Sequence, residues 1–168
     1  MANQPNVRGG PGVNDCLDLG NLRLGALNVR SLNLSDATLL DSKAKLNWLI
    51  STNLDLAFIS EVKFHDKSKL SCVSNFLAGN NLGSYKFILN STNASRGTGI
   101  LISNRLNLHI LSEHRDINEN FLLLNCRLNN VNLVIGSIYA PNNAQSPFFT
   151  ALENCMSSLQ TKGHGRPP

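Results

Sequence analysis

The sequence predicts one domain of mixed α/β (α+β) class, on three observations. A strand, an amphipathic helix and a second strand follow one another between Leu22 and Ile59. Short apolar runs separated by linkers rich in Asn, Ser and Gly then fill the second half, as in an antiparallel meander. The last of these runs, Leu133 to Asn142, ends in Tyr-Ala-Pro-Asn and is followed by a helix. With 168 residues the chain is long enough to bury a real core within one domain.

Residues 1–21 contain Gly9, Gly10, Gly12 and two prolines without an apolar stretch, and read as a disordered leader rather than a signal peptide. The domain proper is expected over 22–160. Its first strand is Leu22 to Val29, in which Leu22, Leu24 and Ala26 alternate with Arg23, Gly25 and Leu27, and Asn28 falls near the end. After a polar turn at Asn33 to Asp36, the spacing of Leu39, Leu40, Ala44, Leu46, Trp48, Leu49 and Ile50 predicts a helix that Ser35 or Asp36 would cap. Leu54 to Ile59 is the second strand, followed at once by Ser60 and Glu61. Such a strand–helix–strand unit makes its two strands parallel, so Asn28 and Glu61 point toward the same sheet edge.

A short helix is expected across Lys69 to Leu77, then strands at Tyr85–Leu89, Gly99–Ser103, Leu108–Leu111 and Phe121–Leu128. Leu133 to Tyr139 is apolar apart from Gly136 and Ser137, and reads as a strand buried on both faces. Pro141 stops it, because proline cannot donate to a ladder and holds the preceding residue extended. Ser146 and Pro147 open a helix carrying Phe148, Phe149, Leu152, Cys155, Met156 and Leu159. Residues 161–168 read as a disordered tail.

Composition narrows the class of function only broadly. No segment approaches the roughly 18 continuous apolar residues that a membrane span needs, so a soluble protein is expected. Cys16, Cys72, Cys126 and Cys155 form no C-x-x-C pair, which argues against zinc and favours a reducing intracellular compartment. A formal charge of +4 suits a polyanionic partner without demanding one. His65, His109, His114 and His164 have no metal-site spacing, and the serine-hydrolase elbow, the phosphate-binding P-loop and the dinucleotide glycine fingerprint are all absent.

Glu61 stands out among the residues able to do chemistry, as a carboxylate directly after an apolar strand. It is either a solvated strand-end charge or a ligand for a hard cation, and Asn28 beside it favours the second reading. Magnesium is often held by only one or two carboxylates plus substrate phosphate. Asn28 by itself suits a turn. Tyr139 and Asn142 could grip a phosphate, or could be a packed ring and an ordinary Pro-Asn-Asn turn. Arg96, in Ser-Arg-Gly-Thr-Gly, is either a phosphate contact or part of a bend before a strand.

Four blocks taken together resemble a known family: Leu-Asn-Val-Arg-Ser-Leu-Asn (27–33), Leu-Ala-Phe-Ile-Ser-Glu (56–61), Arg-Gly-Thr-Gly-Ile-Leu-Ile-Ser (96–103) and Ile-Tyr-Ala-Pro-Asn (138–142). In order and spacing they are similar to the endonuclease/exonuclease/phosphatase superfamily, most of all to the apurinic/apyrimidinic-like endonuclease domain of non-LTR retrotransposons. The likeness implies a four-layer α/β sandwich with two packed sheets, hydrolysing phosphodiesters with Mg2+ or Mn2+. It implies that Glu61 ligates the metal, that Asn28 helps position it, that Tyr139 orients or stabilises the phosphate and that Asn142 contacts the DNA backbone; Arg96 stays the further candidate for a phosphate or DNA contact. A nick whose 3′-hydroxyl primes reverse transcription, made in the nucleus, would be the product.

The chain departs from that pattern at Ser60 and Val62, where relatives often show Gln and Thr. It also contains neither the family's Gly-Asp-Phe-Asn block nor its Ser-Asp-His block, which supply the water-activating acid and a general acid or base. The sequence therefore leads to the expectation of a fold truncated before its C-terminal strands and of weak or absent turnover. A catalytically silent remnant that binds DNA or a partner is the alternative, and a further one is another branch of the superfamily, such as sphingomyelinases, inositol-phosphate phosphatases or deadenylases.

Overall fold

A computed structural model describes residues 21–32, 39–64, 84–92, 95–143 and 145–162. Among the described residues seven strands and two helices follow in the order β1 (Leu24–Asn28), α1 (Leu39–Ser51), β2 (Leu56–Ser60), β3 (Tyr85–Asn90), β4 (Thr98–Ser103), β5 (Leu108–Arg115), β6 (Phe121–Leu128), β7 (Val131–Ile138) and α2 (Ser146–Lys162). The helix expected at Lys69–Leu77, the caps at Ser35 and Asp36, and nearly all of the expected leader and tail lie outside the described residues. Thr161 and Lys162, placed by the sequence in the tail, continue α2.

The strands form two sheets, of order β1-β2-β4-β3 and β5-β6-β7. β1 and β2 are parallel, as the strand–helix–strand reading requires, with Asn28 opposite Ser60. The second half is not one continuous meander. β3 and β4 pair with each other and β4 runs antiparallel to β2, which completes the first sheet; only β5, β6 and β7 form the separate antiparallel sheet. Local patterning marks strands but not their partners. What assigns the hairpin to the first sheet is that all six residues of β4 are buried there, an environment that suits the apolar run Gly-Ile-Leu-Ile.

Three apolar clusters separate four layers. Leu46 and Leu49 of α1 pack on Ala57, Ile59 and Leu101 of the first sheet. Between the sheets, Leu56, Ile88, Ile100 and Ile102 meet Leu122, Leu124 and Cys126. Outside the second sheet, Leu159, Phe148 and Leu152 of α2 cover Phe121, Leu123 and Val134. Leu122 and Leu124 thus face inward while Phe121 and Leu123 face α2, so β6 is apolar on both faces because a layer covers each. The architecture is a four-layer α/β sandwich.

One expectation needs correction. β7 does have both faces covered, with Leu133 and Ile135 between the sheets and Val134 under α2, but it is only half-buried, and Ile138 is 45% exposed. Among the described residues it pairs with β6 alone, and an edge strand keeps solvent along its open side. On α2, Phe149 and Met156 lie on the exposed face, away from the residues that meet the sheet.

Leu124, fully buried between the sheets, should be costly to truncate. Leu124→Ala is expected to lower stability by about 2–5 kcal/mol, read as a shift of the urea midpoint at unchanged slope.

Candidate active site

The parallel register of β1 and β2 brings the expected pair together. Asn28 ends β1 opposite Ser60, and the backbone bonds continue past both strands, from Val29 N to Ser60 O at 3.1 Å and from Ser31 N to Glu61 O at 2.8 Å. The Asn28 amide donates from Nδ2 to Glu61 Oε1 at 2.7 Å, while its Oδ1 accepts from the Arg30 backbone N–H at 3.0 Å. Lys63 Nζ lies 3.0 Å from Glu61 Oε2. Lys63 carried no signal in the sequence, because only the turn after β2 folds it back onto the carboxylate.

That turn is conformationally demanding. Glu61 and Lys63 have φ of 54° and 53°, and Arg30 and Ser31 on the neighbouring segment have 50° and 101°. Left-handed backbone at non-glycine residues costs energy and persists where surrounding contacts over-determine it, as the paired segments do here. The chain spends this strain on aiming side chains rather than on extending the strands.

Electrostatically, Glu61 is held below the ordinary carboxylate range, first by the Asn28 hydrogen bond and then by Lys63, with the nearby Tyr139 hydroxyl acting least and in the same direction. Tyr139 reaches this point from the other sheet, just past the end of β7, with its backbone N–H bonded to Asn120 O at 2.6 Å. The two sheets thus converge at one edge, where Glu61, Asn28 and Tyr139 meet. An open cleft of about 380 Å3 lies between β1 and β7, lined by Ala26, Asn28, Phe58, Ser60, Ser137 and Ile138 among others, and of the three residues only Asn28 lines it.

Arg96 lies in the segment before β4. Gly97 beside it has φ 120°, and a side chain there would collide with Ser91, which is why this bend needs glycine. The backbone carbonyls of Arg96 and Gly97 accept from Lys63 N at 2.7 Å and Val62 N at 3.1 Å, so the Arg96 segment braces the Glu61 turn. The Arg96 guanidinium donates from Nη1 to Asn120 Oδ1 at 3.1 Å. Asn120, buried in the turn between β5 and β6, was not singled out from the sequence; a lone asparagine in a turn has no distinguishing local pattern. Asn142 is exposed beyond Pro141. His114 stands 3.3 Å from Cys155 on α2 and stacks on Phe121, in the layer outside the second sheet.

Glu61 supplies a hard carboxylate of the kind that magnesium or manganese takes, with Oε1 engaged by Asn28 and Oε2 by Lys63, so a cation at Oε2 would have to displace the ammonium. Asn28 offers its amide hydrogen to Glu61 and its carbonyl to Arg30, so its observed work is to orient the carboxylate. Among the described residues, no group of three His, Cys, Asp or Glu side chains gathers to form a metal cage. One carboxylate completed by water and substrate phosphate is nonetheless a common way to hold magnesium.

Removing the first of the interactions that depress Glu61 should be directly visible. In Asn28→Ala the Glu61 carboxyl is expected to titrate at higher pH than in the unmodified chain, followed by carbon-detected NMR. The sign follows from the depressed folded value: the contacts of ionised Glu61 are complete above the unfolded glutamate range and are lost as pH falls through the folded value.

No protein-family model and no curated protein sequence matches the chain. Solved structures do. Humanized D. rerio TDP2 carrying 14 mutations aligns at 17% identity and a TM-score of 0.52, over 83% of this chain and 56% of that one. D. rerio TDP2 complexed with single strand DNA product aligns at 17% identity and TM-score 0.52, over 83% and 54%. An AP endonuclease from Leishmania major aligns at 13% identity and TM-score 0.50, over 77% and 43%. The chain therefore spans about half the length of the structures it matches, and shares with them the α/β sandwich fold of the endonuclease/exonuclease/phosphatase type.

Proposed function

We propose that the edge formed by Glu61, Asn28 and Tyr139 is the phosphate-gripping part of a metal-dependent phosphodiesterase site of the DNA endonuclease type. The observation that carries this reading is the convergence of a depressed carboxylate, oriented by Asn28 on one sheet, with a tyrosine hydroxyl from the other. Similarity in fold to nucleic-acid-processing proteins, one of them solved with a DNA product, supports it. Within that class the four ordered sequence blocks favour the target-nicking endonuclease of non-LTR retrotransposons, acting on nuclear DNA.

The chain's own residues would divide the work as follows. Glu61 stays ionised at neutral pH and presents Oε2 to the cation; Asn28 fixes its rotation through Oε1. Tyr139 would turn its one hydroxyl proton from Glu61 to a non-bridging phosphoryl oxygen as charge accumulates there. Arg96 and exposed Asn142 hold the flanking backbone phosphates, Arg96 with the guanidinium donors that Asn120 leaves free. A Mg2+ or Mn2+ ion held by Glu61 would neutralise charge on the phosphoryl oxygens and the leaving group. The 168 residues include neither the Gly-Asp-Phe-Asn nor the Ser-Asp-His block, so no water-activating acid is assigned and turnover by this chain alone is expected to be weak or nil.

Binding and cleavage can be measured separately. A fluorescent DNA duplex should bind with an affinity that falls steeply and log-linearly as salt rises and that is indifferent to sequence. Supercoiled plasmid with magnesium should be nicked poorly or not at all. Nicking that is clear and is lost in Glu61→Ala would overturn the low-turnover expectation, and salt-insensitive or absent DNA binding would overturn the phosphodiester reading itself.

A further inference from the structure

We infer that Asn120 is a positioning residue for this site, one that holds Arg96 and Tyr139 in a fixed relation across the two sheets; the inference rests on the phosphodiester reading proposed above. Three bonds converge on it. Its Oδ1 accepts from Arg96 Nη1 at 3.1 Å, its backbone carbonyl accepts from Tyr139 N at 2.6 Å, and its own N–H donates to Asp116 Oδ2 at 3.0 Å. The first partner belongs to the segment entering β4 of one sheet and the second to the end of β7 of the other. A single buried residue therefore links the two elements expected to hold phosphate.

The turn carrying Asn120 is itself anchored. Asn90, at the end of β3, donates Nδ2 to Asp116 O at 2.9 Å and to Phe121 O at 3.0 Å, on either side of Asn120. Glu119, buried with φ 60°, accepts through Oε1 from the Thr92 backbone N–H and hydroxyl. Both contacts tie the β5–β6 turn to the β3–β4 connection, so Asn120 sits on a frame fastened to the first sheet before it touches Arg96. Arginine has five N–H donors; taking one of them on a neutral amide oxygen fixes the guanidinium plane while leaving its charge and its other donors for an anion. A carboxylate in place of Asn120 would fix the plane but neutralise the charge, which gives a chemical reason for an amide here.

The test combines DNA binding with a readout of the guanidinium itself. With a short fluorescein-labelled duplex as probe, Asn120→Ala should weaken binding about tenfold, the size of one charge-assisted hydrogen bond. Arg96→Ala should do the same, and the double variant should be no weaker than Arg96→Ala alone. In nitrogen–proton NMR spectra of the free protein, the Arg96 side-chain N–H signals should be sharp, broaden in Asn120→Ala and stay sharp in Asn120→Asp, which keeps an acceptor oxygen. Asn120→Asp also guards against a merely unfolded alanine variant. Full-strength binding by Asn120→Ala while Arg96→Ala is weakened, or additive losses in the double variant, would overturn the positioning role. If the unmodified chain does not bind the duplex, the phosphodiester reading fails by itself, and the clamp is then decided by the spectra: unchanged Arg96 signals in Asn120→Ala refute it, and broadened ones uphold it.

Discussion

The parallel pairing of β1 with β2 is the constraint on which the rest of the site depends. Its register sets Asn28 against Ser60 and carries hydrogen bonding beyond the strands into Val29, Ser31 and Leu32, which bond to Ser60, Glu61 and Val62. Two backbone segments that would otherwise be free loops are thereby zipped together. Their left-handed residues are tolerated because the paired neighbours leave few alternatives. The carboxylate of Glu61 then has one amide, one ammonium and one phenol around it, each delivered by a different stretch of chain.

That local arrangement has value only because the sheets are packed. Ile100 and Ile102 against Leu122 and Leu124 keep the two sheets in contact, and the Ser137 hydroxyl reaches across to Ile59 O at 2.8 Å. Without that apolar contact Tyr139 and Asn120 would have no fixed relation to Glu61 and Arg96. The polar bonds between the sheets are few and sit at the edge; the large buried area between them supplies the stability, and the polar bonds supply the alignment.

At this edge an oriented carboxylate, an ammonium and a guanidinium lie within a few residues of one another in the fold. His114, the described histidine with a defined polar partner, spends its ring on Cys155 and Phe121 in the outer layer. No helix of the described residues is long and apolar enough to cross a membrane, and the pI of about 9.0 is compatible with an anionic partner.

By itself the sequence determined the local terms: which of the described stretches are strands or helices, that β1 and β2 run parallel, and that Asn28 and Glu61 share an edge. Those follow from periodicity, from Pro141 and from the length of the crossover, all of which act over a few residues. It did not determine that the β3–β4 hairpin belongs to the first sheet, that β7 is only half-buried, or that Lys63 and Asn120 complete the surroundings of Glu61, Arg96 and Tyr139. These depend on contacts between residues far apart in the chain, where many partners satisfy the same local pattern and burial between packed layers selects one. The tertiary structure decided them because only in three dimensions does Asn120, unremarkable in its turn, lie within reach of both sheets.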